Sequence, residues 1–283
     1  MRPTQVVFLT TLAMVAFAGN SLLCRVALKG GAIDAASFTL VRIASGALVL
    51  GLILRVRSPG MRMAGNAWSA FWLFAYAAGF SFAYVTLTAG VGALLLFGAV
   101  QATMIGYGLR RGERLHGVQV AGLVLAFAGL ASLLAPGLSA PPLAGAALML
   151  LAGFSWGLYS LRGRAAGDPL AVTAGNFVRA VPLAIAVSLA AAPWASADMR
   201  GVVFAVLSGA IASGMGYAVW YTALPALKAT TAASVQLGVP AIAAAGGVLF
   251  LDEALTLRLV IASAAILGGV AMAISKARTR SGR

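Results

Sequence analysis

Charge is what this sequence lacks. Of 283 residues only six are acidic, one is histidine and one is cysteine, and 9% are charged in all. A soluble domain carries about 25% charged residues, so this chain has too few to cover a water-facing surface. The single cysteine, Cys24, excludes an intramolecular disulfide, and its context NSLLC is a poor lipoprotein cleavage box because Leu23 is too large for the position before the cut. One His and one Cys leave no metal-binding cluster, and the only adjacent carboxylates are Asp252 and Glu253. A membrane-embedded enzyme needs an acid, a base or a metal at its centre, which leaves that reading a distant alternative; no cofactor is expected. No GxxxxGK[ST] loop occurs, so the chain is not an ATP-driven pump. A sensor or assembly subunit would usually carry a soluble domain, and no segment has that composition.

What the chain has instead is apolar length: 61% of it is hydrophobic. A helix needs about 20 apolar residues to cross a bilayer. Ten segments qualify: 4–28, 35–54, 67–88, 91–109, 116–135, 142–161, 170–191, 200–222, 229–250 and 256–275. Between them lie RVRSPGMRM, RRGERLHG, APGLSAPP, RGRAAGDP and LDEALT, where Pro and Gly end helices. The opening MRPTQVVFLTTLAMVAFAG runs straight into a full-length span and reads as a retained helix, not a cleaved signal.

The net charge of +14 would point to nucleic acid in a soluble protein. Here the cations sit in the gaps and report topology, and no nucleic-acid partner is expected. With the N-terminus inside, the inner side receives fourteen: Arg2, Arg55, Arg57, Arg62, Arg110, Arg111, Arg114, Arg162, Arg164, Lys228, Lys276, Arg278, Arg280 and Arg283. The outer side receives three: Lys29, Arg200 and Arg258. By the positive-inside rule both termini face the cytoplasm.

The chain also repeats itself. At an offset of 137, Phe17 meets Phe154, Arg25 meets Arg162, Arg42 meets Arg179 and Tyr84 meets Tyr221. At 140, Glu113 meets Glu253 and Gly129 meets Gly269. Two five-helix units, 1–138 and 139–283, follow. Five is odd, so the second unit enters the membrane from the opposite face. The expected fold is an all-α integral membrane protein of ten transmembrane helices in a 5+5 inverted-topology repeat. Carriers with such repeats bind solute near the midplane between the halves.

FAGNSLLCRVAL in the first span, FSWGLYSLRGR in the sixth, and the turns GERL and LDEAL stand at matching places in the two halves. In order and spacing they resemble the EamA-type ten-helix exporters of the drug/metabolite transporter superfamily, over the whole chain, and most of all the aromatic amino-acid exporter branch. One departure is the family's early Trp-Gly pair, which reads Ala18-Gly19 in the first span and Trp156-Gly157 in the sixth. The resemblance implies export of small metabolites, amino acids among them, across a bacterial-type cytoplasmic membrane. A monomer in the lipid bilayer is expected.

Two arginines lie inside spans. Arg42 is ~12 Å along its helix from Asp34, and Arg179 is ~16 Å from Asp168. Either they hold helices together through carbonyls, or one of them meets a substrate anion. The candidate substrate-binding residues are Phe17, Asn20, Tyr76, Phe80, Gln101, Trp156, Tyr159, Tyr217, Trp220 and Gln236. Aromatic faces with a few amides suit a flat, apolar, zwitterionic solute, and packing is the competing reading for each residue. Trp72, Tyr84 and Tyr221 lie near span ends and suit an interfacial belt. A cavity lined by the first, third, fourth, sixth, eighth and ninth spans is expected to be near neutral. Pro182, Pro225, Pro240 and Gly90, Gly92 and Gly98 are hinge candidates, and Gly209, Ser213 and Gly214 permit close helix approach. Asp34, Glu113, Asp168, Asp198, Asp252 and Glu253 all fall at span ends and His116 in a gap, so no buried proton relay is available. That favours a facilitator or exchanger over the alternative, a proton-coupled exporter of drugs or other metabolites.

This topology is checked by membrane-impermeant thiol labelling of intact cells. On a Cys24→Ala background, Ser139→Cys should label from outside and Met61→Cys should not; the reverse pattern inverts the orientation.

Overall fold

The computed structural model describes residues 1–112, 114–137, 140–163, 168–227, 232 and 235–274. Glu113, Ser139, Arg164, Lys228, Lys276, Arg278, Arg280 and Arg283, the 138/139 boundary and parts of the ninth span lie outside the described residues.

Ten helices make up the bundle among the described residues. They are α1 (Pro3–Lys29), α2 (Ala35–Arg57), α3 (Ala67–Tyr84), α4 (Ala89–Arg110), α5 (Gly117–Leu134), α6 (Leu143–Gly163), α7 (Pro169–Ala190), α8 (Met199–Ala226), α9 (Gly238–Leu251) and α10 (Leu257–Ile274). Eight of these are long and apolar enough to cross a membrane. The exceptions are α9, with 14 residues, and α3, whose 18 residues include two Trp, two Tyr and two Ser. Lipid offers the backbone no hydrogen bonds, so a crossing segment must satisfy its own, and helices do so.

Polar caps mark several starts. The carboxylates of Asp34, Asp168 and Asp198 accept backbone N–H bonds at the beginnings of α2, α7 and α8. Asn66 and Thr88 do the same for α3 and α4. The Thr88 cap explains why α3 ends at Tyr84, four residues before the span expected from hydropathy, while α4 starts two residues sooner at Ala89. Between Asp34 and α8 the cap doubles as a clasp. The Asp34 N–H donates to the Ser196 carbonyl, the Ser196 N–H donates to the Asp34 carboxylate, and the Asp198 N–H donates to the Ala32 carbonyl. Burial pushes the Asp34 carboxyl up, but the bonds from Ser37, Ser196 and Ala36 outweigh it and hold it below the usual range.

The order of packing is simple. α5 lies along α10, α2 along α7, and α4 against α9. α3 and α4 both pack on α6; α8 and α9 both pack on α1; α2 packs on α8 and α3 on α7. Small residues set the closest approaches. A Cβ at Gly122 would collide with the Gly269 carbonyl, and one at Gly269 with the Gly122 carbonyl, so α5 and α10 meet backbone to backbone. Large apolar side chains such as Leu48, Leu52, Leu249 and Phe250 point outward and are exposed, as lipid contact requires.

One element departs from the regular helix. Within α8, Leu207–Met215 winds as a π-helix before α-helix resumes at Gly216–Ala223. Its Gly209 rests on the Arg42 carbonyl and the Ser45 hydroxyl of α2, where a Cβ would collide with both. The sequence signals no such widening, since its apolar pattern continues through the segment.

Gly122→Val should destabilise the detergent-solubilised protein by about 1–3 kcal/mol, the usual penalty for overpacking. Gly268, one residue from Gly269, has nothing within 4 Å of an added Cβ; Gly268→Val should stay within about 0.5 kcal/mol of the parent. Thermal unfolding of both variants checks the claim.

Candidate functional site

Arg42 is the first residue to place, because it is the most expensive. Its side chain is among the largest fully buried in the protein, at 2% exposure. Nη2 donates to the Tyr76 hydroxyl at 2.9 Å. The guanidinium carbon stands 5.2 Å from the Tyr76 ring centre and 4.8 Å from that of Phe80, within cation–π range of both. Nη1 is buried with no hydrogen-bond partner among the described residues.

The rings around it form a connected cluster. Tyr76 meets Phe80 at 5.5 Å and Trp156 at 4.8 Å. Trp156 stacks on Tyr217 at 5.4 Å and 20° and also meets Tyr159 at 5.3 Å. Tyr217 touches Phe17 at 5.7 Å, and Phe17 meets Trp220 at 6.1 Å. Helices α1, α2, α3, α6 and α8 therefore converge on one centre. Tyr76 and Phe80 reach it together because a spacing of four keeps them on one helix face. Phe177 of α7 joins through Tyr217 at 6.1 Å.

Sequence expectation and position can now be compared residue by residue. Phe17, Tyr76, Phe80, Trp156, Tyr159, Tyr217 and Trp220 meet in the cluster. Asn20 is buried, and its side-chain oxygen accepts from Ser208 at 2.6 Å, joining α1 to α8. Gln101 is buried on α4. Gln236 is half-buried and donates to the Ala232 carbonyl of its own segment.

The two arginines part company. Arg179 is exposed, and Nη1 donates to the carbonyls of Ala64 and Gly175, at 2.7 Å and 2.9 Å. It clamps the α2–α3 connection onto α7 and lies outside the aromatic cluster. The repeat offset pairs Arg42 with Arg179 in sequence, not in environment. Two further expectations need correcting. Tyr84 is fully buried and donates to the Ala89 carbonyl, so it does not belong to an interfacial belt. The centre is not near neutral, since it holds the Arg42 charge.

A second polar knot closes one end of the bundle. Arg25 Nε pairs with Glu253 at 3.1 Å, and its Nη1 donates to the Tyr84 and Val85 carbonyls at 3.0 Å each. Glu253 in turn accepts from the Ala89 N–H at 2.8 Å. The knot ties α1 to the α3–α4 and α9–α10 turns. Sequence reasoning flagged both residues through the repeat but did not join them, because partners 228 positions apart carry no local signal. Phe177 was missed too, because in sequence it is one more apolar residue in an apolar span.

Cavities lie elsewhere. One of about 250 Å³ sits between α4, α5, α6 and α10 and is almost wholly apolar, with Leu94, Phe127 and Ile266 on its wall. Another of about 300 Å³ opens between α1, α2 and α8 beside Ile53, Arg57 and Met215.

A helical bundle with eight helices long and apolar enough to cross a membrane is the architecture of a multi-pass membrane protein. Residues 143–275 match the EamA-like transporter family. An uncharacterized protein of Pseudomonas aeruginosa is 55% identical over 100% of this chain and 99% of its own length. A crystal structure shares the fold, with a TM-score of 0.69 and 18% identity over 96% of this chain and 98% of that one. The chain belongs to the EamA-like transporter family, within the drug/metabolite transporter superfamily.

Tyr76→Phe keeps the ring and removes the acceptor of the buried guanidinium. The expected loss is about 1.5–3 kcal/mol, the worth of a hydrogen bond to a charged group. Thermal unfolding in detergent measures it; an unchanged melting temperature means that water or another group replaces the hydroxyl.

Proposed function

We propose that the protein is an alternating-access carrier that exports small metabolites, with aromatic or other hydrophobic amino acids as the solute class. The aromatic centre carries the reading. Four helices, α2, α3, α6 and α8, bring Tyr76, Trp156, Tyr159 and Tyr217 to one place beside a guanidinium, where a flat side chain can stack and a carboxylate can bond. The membrane is a bacterial-type cytoplasmic membrane with both termini inside.

The helix contacts support a 5+5 inverted repeat. Exchanging α1–α5 for α6–α10 maps the principal contacts onto one another: α3 on α6 becomes α8 on α1, α4 on α6 becomes α9 on α1, and α2 on α8 becomes α7 on α3. The Arg25–Glu253 knot then belongs to the outer end, where it acts as a gate that must open for release. The cleft beside Arg57 belongs to the inner end. Transport runs as facilitation or exchange, since the described acidic residues all cap helices or lie in turns.

Purified protein in liposomes, preloaded with unlabelled solute, should accumulate labelled phenylalanine or tryptophan by counterflow with no imposed pH gradient. Trp156→Ala and Tyr217→Ala should each slow it about two- to tenfold, the equivalent of one lost ring pair. Accumulation only under a proton gradient would remove the facilitator reading. Parent-like rates in both variants would remove the site.

A further inference from the structure

We propose that Arg42 is the anion anchor of this transport site, and that the species it selects is an organic monoanion: a flat apolar body bearing a carboxylate, with the amino group dispensable. The proposal rests on the reading of the aromatic centre as the solute site and names what that site recognises.

The first observation is the unfinished bonding of Arg42. A guanidinium has five N–H donors in a planar fork that fits a carboxylate two-fold. Here Nη2 reaches the Tyr76 hydroxyl, and Nη1, equally buried, reaches nothing among the described residues. Buried polar groups are overwhelmingly hydrogen-bonded, so an orphaned donor on a charged group asks for an explanation. An arginine kept only to glue helices would spend its donors on carbonyls, as Arg25 and Arg179 do.

The second observation is charge balance. Five acidic residues are described, and each is at a helix end. Asp34, Asp168 and Asp198 cap helices, Asp252 ends α9, and Glu253 is held by Arg25 and the Ala89 N–H. Among the described residues Arg42 has no ion pair. A cation in a medium of low dielectric is stable only when something compensates it. Ring faces of Tyr76 and Phe80 do so in part. A bound carboxylate would do so fully and leave the loaded site neutral.

The third observation concerns the amino group. Among the described residues no carboxylate lies in the centre to receive an ammonium, and Arg42 opposes a second positive charge there. The two rings nearest Arg42, Tyr76 and Phe80, already carry the guanidinium. Affinity should therefore fall from anion to zwitterion to cation within a series of equal ring size.

The test uses three probes that share one ring: phenylacetate, phenylalanine and phenethylamine. Binding to the intact protein in lipid nanodiscs is read from tryptophan fluorescence, with Trp156→Phe as the signal control. Phenylacetate should bind at least as tightly as phenylalanine and at least tenfold more tightly than phenethylamine. Arg42→Gln should weaken phenylacetate at least tenfold. Arg42→Lys, which keeps the charge without the fork, should fall between. Should Arg42→Gln fail to fold, the parent's order across the three probes and the Arg42→Lys loss decide the matter. Equal binding of phenethylamine and phenylacetate by the parent overturns the proposal, as does parent-like phenylacetate binding by a folded Arg42→Gln. If Tyr217→Ala weakens all three probes while their order ignores charge, the site stands and the anchor fails. If Tyr217→Ala changes nothing, the site reading fails with it.

Discussion

A positive charge in the middle of an apolar bundle is the constraint around which the rest is arranged. Arg42 cannot reach water, and a membrane interior offers it neither solvent nor mobile counter-ions. The protein surrounds it with what helices can supply: a tyrosine hydroxyl, two ring faces, and the tight apposition of α8, whose Gly209 rests on the Arg42 backbone. These contacts satisfy the guanidinium only in part. A site left partly unsatisfied when empty has a built-in preference for what completes it, and this is how binding can be made specific without many polar groups.

The ends of the bundle follow a different logic. There the helices stop, carbonyls and N–H groups lose their intrahelical partners, and acids are affordable because water and caps are near. Asp34, Asp168, Asp198 and Glu253 all work at such places. The Arg25–Glu253 knot gathers α1 and two connections at one end, while the α2–α3 connection is pinned to α7 by Arg179. Both are polar and dismantle more readily than a packed apolar face does. The centre, by contrast, is held by rings and small residues. In the carrier reading proposed above, such end fastenings are the contacts that alternate between open and closed.

The π-helical stretch Leu207–Met215 lies where these two regimes meet. It precedes Tyr217 and Trp220 in the same span and so sets the rotation at which both rings enter the cluster. Widening a helix changes the facing of everything beyond it, and such segments are frequent at functional sites.

Composition and hydropathy by themselves determined that the chain lives in a bilayer, that it is helical, and where nearly all its helices lie. Those properties follow from the length of apolar runs and the scarcity of charge, which are local and additive. The aromatic residues of the centre were legible for a related reason: Tyr76, Trp156 and Tyr217 sit mid-span, where few other features compete for attention. What only the tertiary structure decided is which polar groups meet. Arg42 and Arg179 are indistinguishable as arginines inside apolar runs, yet one is sealed among rings and the other grips an exposed loop carbonyl. Arg25 and Glu253 are 228 positions apart. Tyr84 reads as an interfacial residue by its place at a helix end, and is buried because α4 folds directly over it. The depth of a residue along its helix is written in the sequence. The direction it faces, and the partner it finds there, depend on how helices rotate against one another, and that is settled by packing across the whole bundle.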